Sequence, residues 1–496
     1  MKTRGAAVFA ALFLACSCWL LFSCSDGPPA VAGGTSETTN GFTATIRTAG
    51  GDFAQGAIVR MRRTDYLALP PAIAKSAAVI NADAITDTSG GFVIIGVTPG
   101  DYTIEITDDS ASAVLLSCTA NETGLVDLGT VTLQPFASIA GQISRLTENA
   151  YVQVRGLERV VIADSTGSFV VTDLPPGTFN LHMVTQDGQT AEITNVVAAS
   201  GDTATVTAAP QWRQVPDGYA QGTTGGGNAM PVTVSSAAEF TALATDDVPA
   251  VIVVDGRLNT GDIAVGSNKT IIGKDTTAGL YGGRVRVGGT NCIFQNLTMG
   301  PSGTDAMELS GATNVFIHKC EFFDGGDGLL DIVRQSDFIT VSWCRFYYVN
   351  QTTHKSVMLI GNSDLDFADS TRLHVTLHHN WYAENCDIYM PRVRFGHVHI
   401  YNNYYNSIGN TYCIGVGVYS RIRVENTLFD SVNGAWGDLG GLANDGRIGW
   451  QGLVFENTST PTYATNAFPV FVPPYTYSMD PASEVKAMVR SGAGNR

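Results

Sequence analysis

Seven segments in the second half of the chain share one pattern: NCIFQNLTM, NVFIHKCEFF, FITVSWCRF, LHVTLHHNWY, HVHIYNNYY, IRVENTLF and LVFENTS alternate in polarity and close on Asn or Cys. The shared position falls at Asn296, Cys320, Cys344, Asn380, Asn403, Asn426 and Asn457, at intervals of 24, 24, 36, 23, 23 and 31 residues. A basal period near 23 with occasional longer intervals is what a solenoid produces, because each coil adds short parallel strands and extra residues bulge out as loops. The closing residue is expected at a turn, where Asn tolerates a left-handed backbone and its amide stacks on the neighbouring coil. Cys320 and Cys344 then occupy adjacent coils about 4.8 Å apart. They are expected either as a ladder of buried thiols or as a disulfide that fits this spacing poorly.

Composition agrees with an all-β chain. Only 15% of the 496 residues are charged and 54 are Gly, too few charges for long solvated helical faces. With 29 Lys and Arg against 45 Asp and Glu the formal charge is −16. No basic stripe is available for phosphates, which argues against a nucleic-acid partner.

The amino terminus reads as a targeting segment. Lys2 and Arg4 precede an apolar run from Ala6 to Phe22, and Leu21-Phe22-Ser23-Cys24 closes it. This resembles the bacterial lipobox, which implies a lipoprotein signal peptide over 1–23 and lipidation of Cys24. Ser25, where Asp would signal inner-membrane retention, points to the outer membrane or cell surface, with plain secretion as the alternative. Removal of Lys2 and Arg4 with the leader takes the charge from −16 to −18. Residues 24–40 are small and polar, a linker. Six further cysteines are scattered without a CxxC pair, so neither a disulfide scaffold nor a zinc site is indicated.

Sliding the chain on itself by 77 residues exposes an internal repeat. TDTSGGFVIIGVTPGDYTIEI (86–106) matches ADSTGSFVVTDLPPGTFNLHM (163–183), with Asp87 over Asp164, Gly90 over Gly167, Phe92 over Phe169 and Tyr102 over Phe179. Each copy is a strand, a Pro-Gly turn and a strand. The pattern resembles the carboxypeptidase regulatory-like (transthyretin-like) domain, which implies small β-sandwich modules over 41–135 and 136–210, acting as spacers or adhesion units.

From about 215 the chain resembles the pectate lyases of polysaccharide lyase family 1. The text that carries the resemblance is GYAQGTTGG (218–226), SNKTIIG (267–273), DAMEL (305–309), DGLLDIVRQSDFITVSW (327–343), KSVMLIGNSD (355–364), VTLHHN (375–380), PRVRFG (391–396) and VHIYNNYY (398–405). It implies a right-handed parallel β-helix over 215–496, and a lyase that cleaves acidic plant polysaccharide such as pectate (polygalacturonate) by calcium-dependent β-elimination. A monomer is expected. The carboxy-terminal tail from about 460 is expected as a strap over the solenoid.

The residues fit that chemistry. Elimination removes the weakly acidic proton beside a uronate carboxylate, and Ca²⁺ on that carboxylate helps by withdrawing charge. A hard cation calls for clustered carboxylates. Asp327 and Asp331 are four apart, and Asp305 lies one coil earlier; they match the family's calcium-binding acids. A polyanion on an acidic protein also needs local positive charge. Lys355 and Arg394 match substrate-binding positions, and Arg392 is available beside them, although Arg392 and Arg394 also suit bracing of the solenoid. His318 is a further substrate-site candidate, standing where the family usually has Asp.

The base departs from the pattern. Family members carry an Arg two residues before the Pro of the PRVRFG-like segment, and this chain has Tyr389 there. Three readings follow: Tyr389 is the base, Arg392 is recruited instead, or elimination is lost and the groove only binds acidic polysaccharide at the cell surface. A glycoside hydrolase using Asp324, Asp327 and Asp331 is a further enzyme class, distinguished by products without unsaturated ends.

Overall fold

The computed structural model describes residues 40–69, 83–144, 146, 149–186, 188–208, 212–350, 354–461 and 465–496. The expected signal peptide, Cys24 and the expected linker up to residue 39 lie outside the described residues.

The 77-residue repeat is built as two copies of one topology. Gly41–Arg47 pairs antiparallel with Gly91–Ile95 and parallel with Leu125–Thr132. In the second copy Ala137–Ile143 does the same with Ser168–Leu174 and Thr203–Ala208. A five-stranded and a four-stranded sheet complete the respective sandwiches. The matched glycines have a steric reason. Gly90 and Gly167 sit at φ 71° and 87°, and a Cβ there would approach the carbonyl oxygens of Ile46 and Ile143 to 2.3 and 1.9 Å. Glu158 accepts from Arg62 and Tyr66, and Arg159 pairs with Glu105, joining the first sandwich to the second. Arg155 reaches the Asn228 carbonyl at the start of the solenoid.

The solenoid is formed by three parallel sheets of ten, nine and eight strands, from Pro231–Val234 to Val454–Glu456. Its core is stacked coil on coil. Phe322, Phe346, Tyr382, Tyr405, Phe429 and Phe455 share one register position and form a continuous aromatic ladder, with ring separations of 4.5–5.5 Å. Among the described residues the α-helices are Ala237–Ala244 and Val485–Gly492, each eight residues. Among the described residues no helix is long and apolar enough to cross a membrane.

The turn between the ten- and nine-stranded sheets corrects the sequence register at its ends. Asn296 is in register not with Cys320 but with Lys319, since Gln295 pairs with His318. The left-handed residue of successive coils is Asn296, Lys319, Trp343, His379, Asn402, Asn426 and Gly452. The buried ladder one residue later is Cys320, Cys344, Asn380 and Asn403, and Asn426 and Asn457 do not belong to it. The Asn380 Oδ1 accepts from the Cys344 amide at 2.9 Å, and the Asn403 Oδ1 accepts from the Asn380 amide at 2.7 Å. Sequence alone slips here because the NN and HHN doublets offer two candidates for one turn. Cys320 and Cys344 are thiols, the Cys320 amide donating to the Cys344 sulfur at 3.4 Å.

The tail is a strap: it runs back along the ten-stranded sheet as far as Asp480, and its helix then packs on the nine-stranded sheet against Trp381, Tyr404 and Leu428. The Ala467 amide reaches the Ile448 carbonyl, Tyr475 meets Thr376 and His399, Asp480 meets His379, and Asn495 reaches Ala278.

Candidate functional site

One residue per coil projects in register from the outer face of the eight-stranded sheet: Ala264, Arg286, Glu308, Asp331, Leu359, Arg392, Gly415 and Gly437. Their neighbours Val287, Leu309, Ile332, Ile360, Val393 and Val416 turn into the core. Strand alternation therefore places charged residues of distant sequence on one row, about 4.8 Å per coil.

Three acids gather on this face. Asp305 precedes the strand Met307–Ser310, and Asp327 and Asp331 bracket the entry to Leu330–Val333. Gly328 makes room between them, since a Cβ there would lie 2.9 Å from Asp305 Oδ1 and 3.5 Å from Asp331 Oδ1. Burial, then the charge of Asp327, raises the Asp305 carboxyl to about 6. Burial, then Asp305, raises Asp331 to about 8. Like charges held partly away from water favour a counter-cation, and an all-oxygen donor set suits a hard one. Among the described residues no group of three or more His, Cys, Asp or Glu is arranged, as it stands, to hold a metal ion.

Asp324 is not among these three acids. Its carboxylate accepts from the Val349 and Asn350 amides at 2.8 and 3.1 Å and from Asn350 Nδ2 at 2.6 Å, fixing the loop of the next coil.

Two coils beyond Asp331 lies the strand Arg392–Val393. Tyr389, at φ 60°, enters it, and Arg392 Nη1 donates to the Tyr389 hydroxyl at 2.9 Å with the guanidinium 5.3 Å from the ring centre. Arg394 is largely buried; its Nε donates to Asp364 Oδ1 at 2.5 Å and its Nη1 to the Gly361 carbonyl at 2.8 Å. Asp364 also stands 3.6 Å from Arg392, so Arg394 braces the acid that positions Arg392. Lys355 lies in the loop before Met358–Ile360, one coil short of Tyr389, and its carbonyl accepts from the Asp387 amide.

His318 is elsewhere. It lies on the outer face of the ten-stranded sheet, bonded to Ser342 Oγ at 2.9 Å and stacked on Phe316. Burial, then Lys319, lowers it to about 3. It lines a cavity of about 400 Å³ with Asp217, Trp343, His378 and the carboxy-terminal helix, and the eight-stranded sheet does not share that cavity.

Sequence reading missed Glu308, Arg284, Arg286, Arg334, Asp364 and Tyr412 on the acid-bearing face. The signal for Glu308 was present: in DAMEL it holds the outward phase one coil before Asp331.

A protein-family model described as Pectate lyase matches residues 189–496. A pectate trisaccharide-lyase of Bacillus licheniformis is 31% identical over 307 residues, 55% of this chain and 83% of that protein. Pectate lyase B of Colletotrichum gloeosporioides is 33% identical over 309 residues, 56% and 84% of the two chains. Among solved structures, a thermostable pectate lyase aligns with a TM-score of 0.50 at 25% identity, over 56% of this chain and 96% of its own. A Bacillus subtilis pectate lyase variant aligns with the same score at 22% identity, over 57% and 98%, a likeness of fold.

Proposed function

Because this chain belongs to the pectate lyase family, a family of polysaccharide lyases, we propose that it cleaves pectate-like polyuronate by calcium-assisted β-elimination. The observation that carries the reading is the shared row on one face: the Asp305, Asp327 and Asp331 acids, then the Tyr389–Arg392 pair two coils on. The three acids are the donors that would hold Ca²⁺, which when bound withdraws charge from the uronate C6 carboxylate and acidifies the C5 proton. Lys355 and Arg392 pair with substrate carboxylates. Tyr389, as phenolate compensated by Arg392, takes the C5 proton. The C5–H electrons form the C4–C5 double bond, the C4–O bond breaks, and the departing oxygen is protonated by solvent.

The test is ultraviolet absorbance of the unsaturated uronate, followed with polygalacturonate, with and without Ca²⁺. A calcium-dependent rise that Tyr389→Phe abolishes supports the assignment. Binding of the polymer without any rise overturns it in favour of a surface polysaccharide-binding role. That second reading is favoured by one observation, the use of Arg394 for Asp364 rather than for an open face.

We further propose export and anchoring through Cys24, supported by the basic, apolar and lipobox-like order of the first 24 residues. The two sandwiches would then act as spacers. Fatty-acid labelling that persists in Cys24→Ser overturns the anchor.

A further inference from the structure

The row on the eight-stranded sheet is open at one end and closed at the other. Past Arg392 it continues as Gly415 and Gly437, and both glycines are covered. A Cβ on Gly437 would meet carbons of the Tyr412 ring at 3.0, 3.2 and 3.3 Å, and one on Gly415 would meet Leu439 at 2.7 Å and Tyr412 at 3.3 Å. Tyr412 therefore lies flat on the sheet, its ring centre 6.3 Å from that of Tyr389.

In the other direction the row runs over Leu359, Asp331 and Glu308 to Arg286. Buried Glu308 gathers arginines from two other coils: Arg284 at 2.6 Å, Arg334 at 2.7 Å and Arg286 at 4.0 Å. Arg286 and Arg334 keep 51% and 52% of their side-chain surface exposed. Three guanidiniums hold about fifteen N–H donors, more than Glu308, the Asp305 carboxylate 3.8 Å from Arg284 and the Ser310 hydroxyl 3.3 Å from Arg334 accept together. Arg334 and Gln335 also adopt consecutive left-handed conformations, at φ 52° and 66°, a strained path for residues with side chains.

We propose that Arg334, held by Glu308, and Arg286, 4.0 Å from the same carboxylate, form an outer subsite for a uronate carboxylate, and that Tyr412 stops the substrate chain at the opposite end. The inference rests on the polyuronate reading above. Four coil steps separate Arg286 from Arg392, about 19 Å, so a short oligouronate reaches both and a trimer at the Tyr389 end does not reach Arg286. Cleavage then occurs near the blocked end and releases short products of narrow size.

The experiment compares trigalacturonate and hexagalacturonate by calorimetry in Ca²⁺, and product sizes from polygalacturonate by chromatography. With Arg286→Gln/Arg334→Gln the hexamer binds about tenfold more weakly or worse, while trimer affinity stays within about twofold. Tyr412→Ala broadens the product distribution toward longer fragments. Equal losses for both lengths, a wild-type hexamer no tighter than the trimer, or unchanged products from Tyr412→Ala overturn the proposal. If the double variant does not fold, Arg286→Gln alone decides, its side chain being half exposed. A wild-type protein that binds hexamer but makes no unsaturated product refutes elimination while the affinity comparison still decides the subsite.

Discussion

Arg392 Nη1 donates to the Tyr389 hydroxyl across 2.9 Å, and Asp364 holds the same guanidinium from the other side at 3.6 Å. The phenol oxygen is thus aimed at a fixed cation on the face that carries the acids. If Tyr389 is the base, Tyr389→Phe removes only the proton acceptor. The kcat for elimination is expected to fall at least about a hundredfold with binding of oligouronate little changed. Arg392→Ala should lower both, because it removes the partner of the phenolate and a donor to substrate. Initial rates with matched calorimetry check the split.

The crowded acids give a metal prediction with a defined sign. Asp331 is raised from the ordinary 3.8 to about 8, by burial and then by Asp305. A carboxyl whose folded value is raised costs stability as pH climbs above the ordinary value, with the full cost present above the folded one. Metal-free protein should therefore lose thermal stability between about pH 4 and pH 8. Ca²⁺ should restore it most strongly at the alkaline end, and Asp331→Asn should flatten both trends. Melting temperatures in chelator and in Ca²⁺ across that range are the measurement.

The coils were legible in the sequence because outward polar and inward apolar residues alternate, and because DGLLD and PRVRFG each fall at one sheet of one coil. Asp305 and Asp327 could be brought together from spacing alone, since the 22 residues between them are about one coil. What spacing does not reveal is direction. Nothing in the text distinguishes Arg392, which faces outward, from Arg394, which is turned into Asp364 and the Gly361 carbonyl. His318 reads as a neighbour of the acids in a linear motif, yet the left-handed Lys319 carries the chain round a corner onto a different sheet. Of the arginines around Glu308, Arg284 and Arg286 lie in text with no motif and Arg334 lies one coil beyond Glu308, so that only the register unites them.

The histidines under the strap predict the acid limb of stability. His318 and His379 are lowered from 6.5 to about 3 and about 4, mainly by burial, with Lys319 and His378 adding to it and Asp217 and Asp480 opposing. The folded chain keeps both neutral while the unfolded chain protonates them near 6.5. Stability should be level above that pH and fall as pH drops toward 4 and then 3. His318→Gln, which can keep a bond to Ser342, should make the fall shallower in thermal melts. An unchanged slope would mean that other groups set the acid limit.

Glu425 ties the returning strap to the solenoid. Its fully buried carboxylate accepts from Arg423 at 2.6 Å, Tyr477 at 2.8 Å, His399 at 2.9 Å and Gln451 at 2.5 Å. Burial alone would raise the group, but His399, Arg423 and Tyr477 outweigh it and hold the carboxyl well below the usual range. Glu425→Gln leaves Arg423 buried without its counter-charge and should cost about 3 kcal/mol. Tyr477→Phe removes one bond and should cost about 1 kcal/mol. Because a depressed carboxyl contributes above its unfolded value and loses that contribution as pH falls through the folded one, the gap between wild type and Glu425→Gln should narrow in strong acid. Both variants should open the strap around Phe471 and Tyr475 to limited proteolysis before the coils unfold, with Glu425→Gln cut faster than Tyr477→Phe.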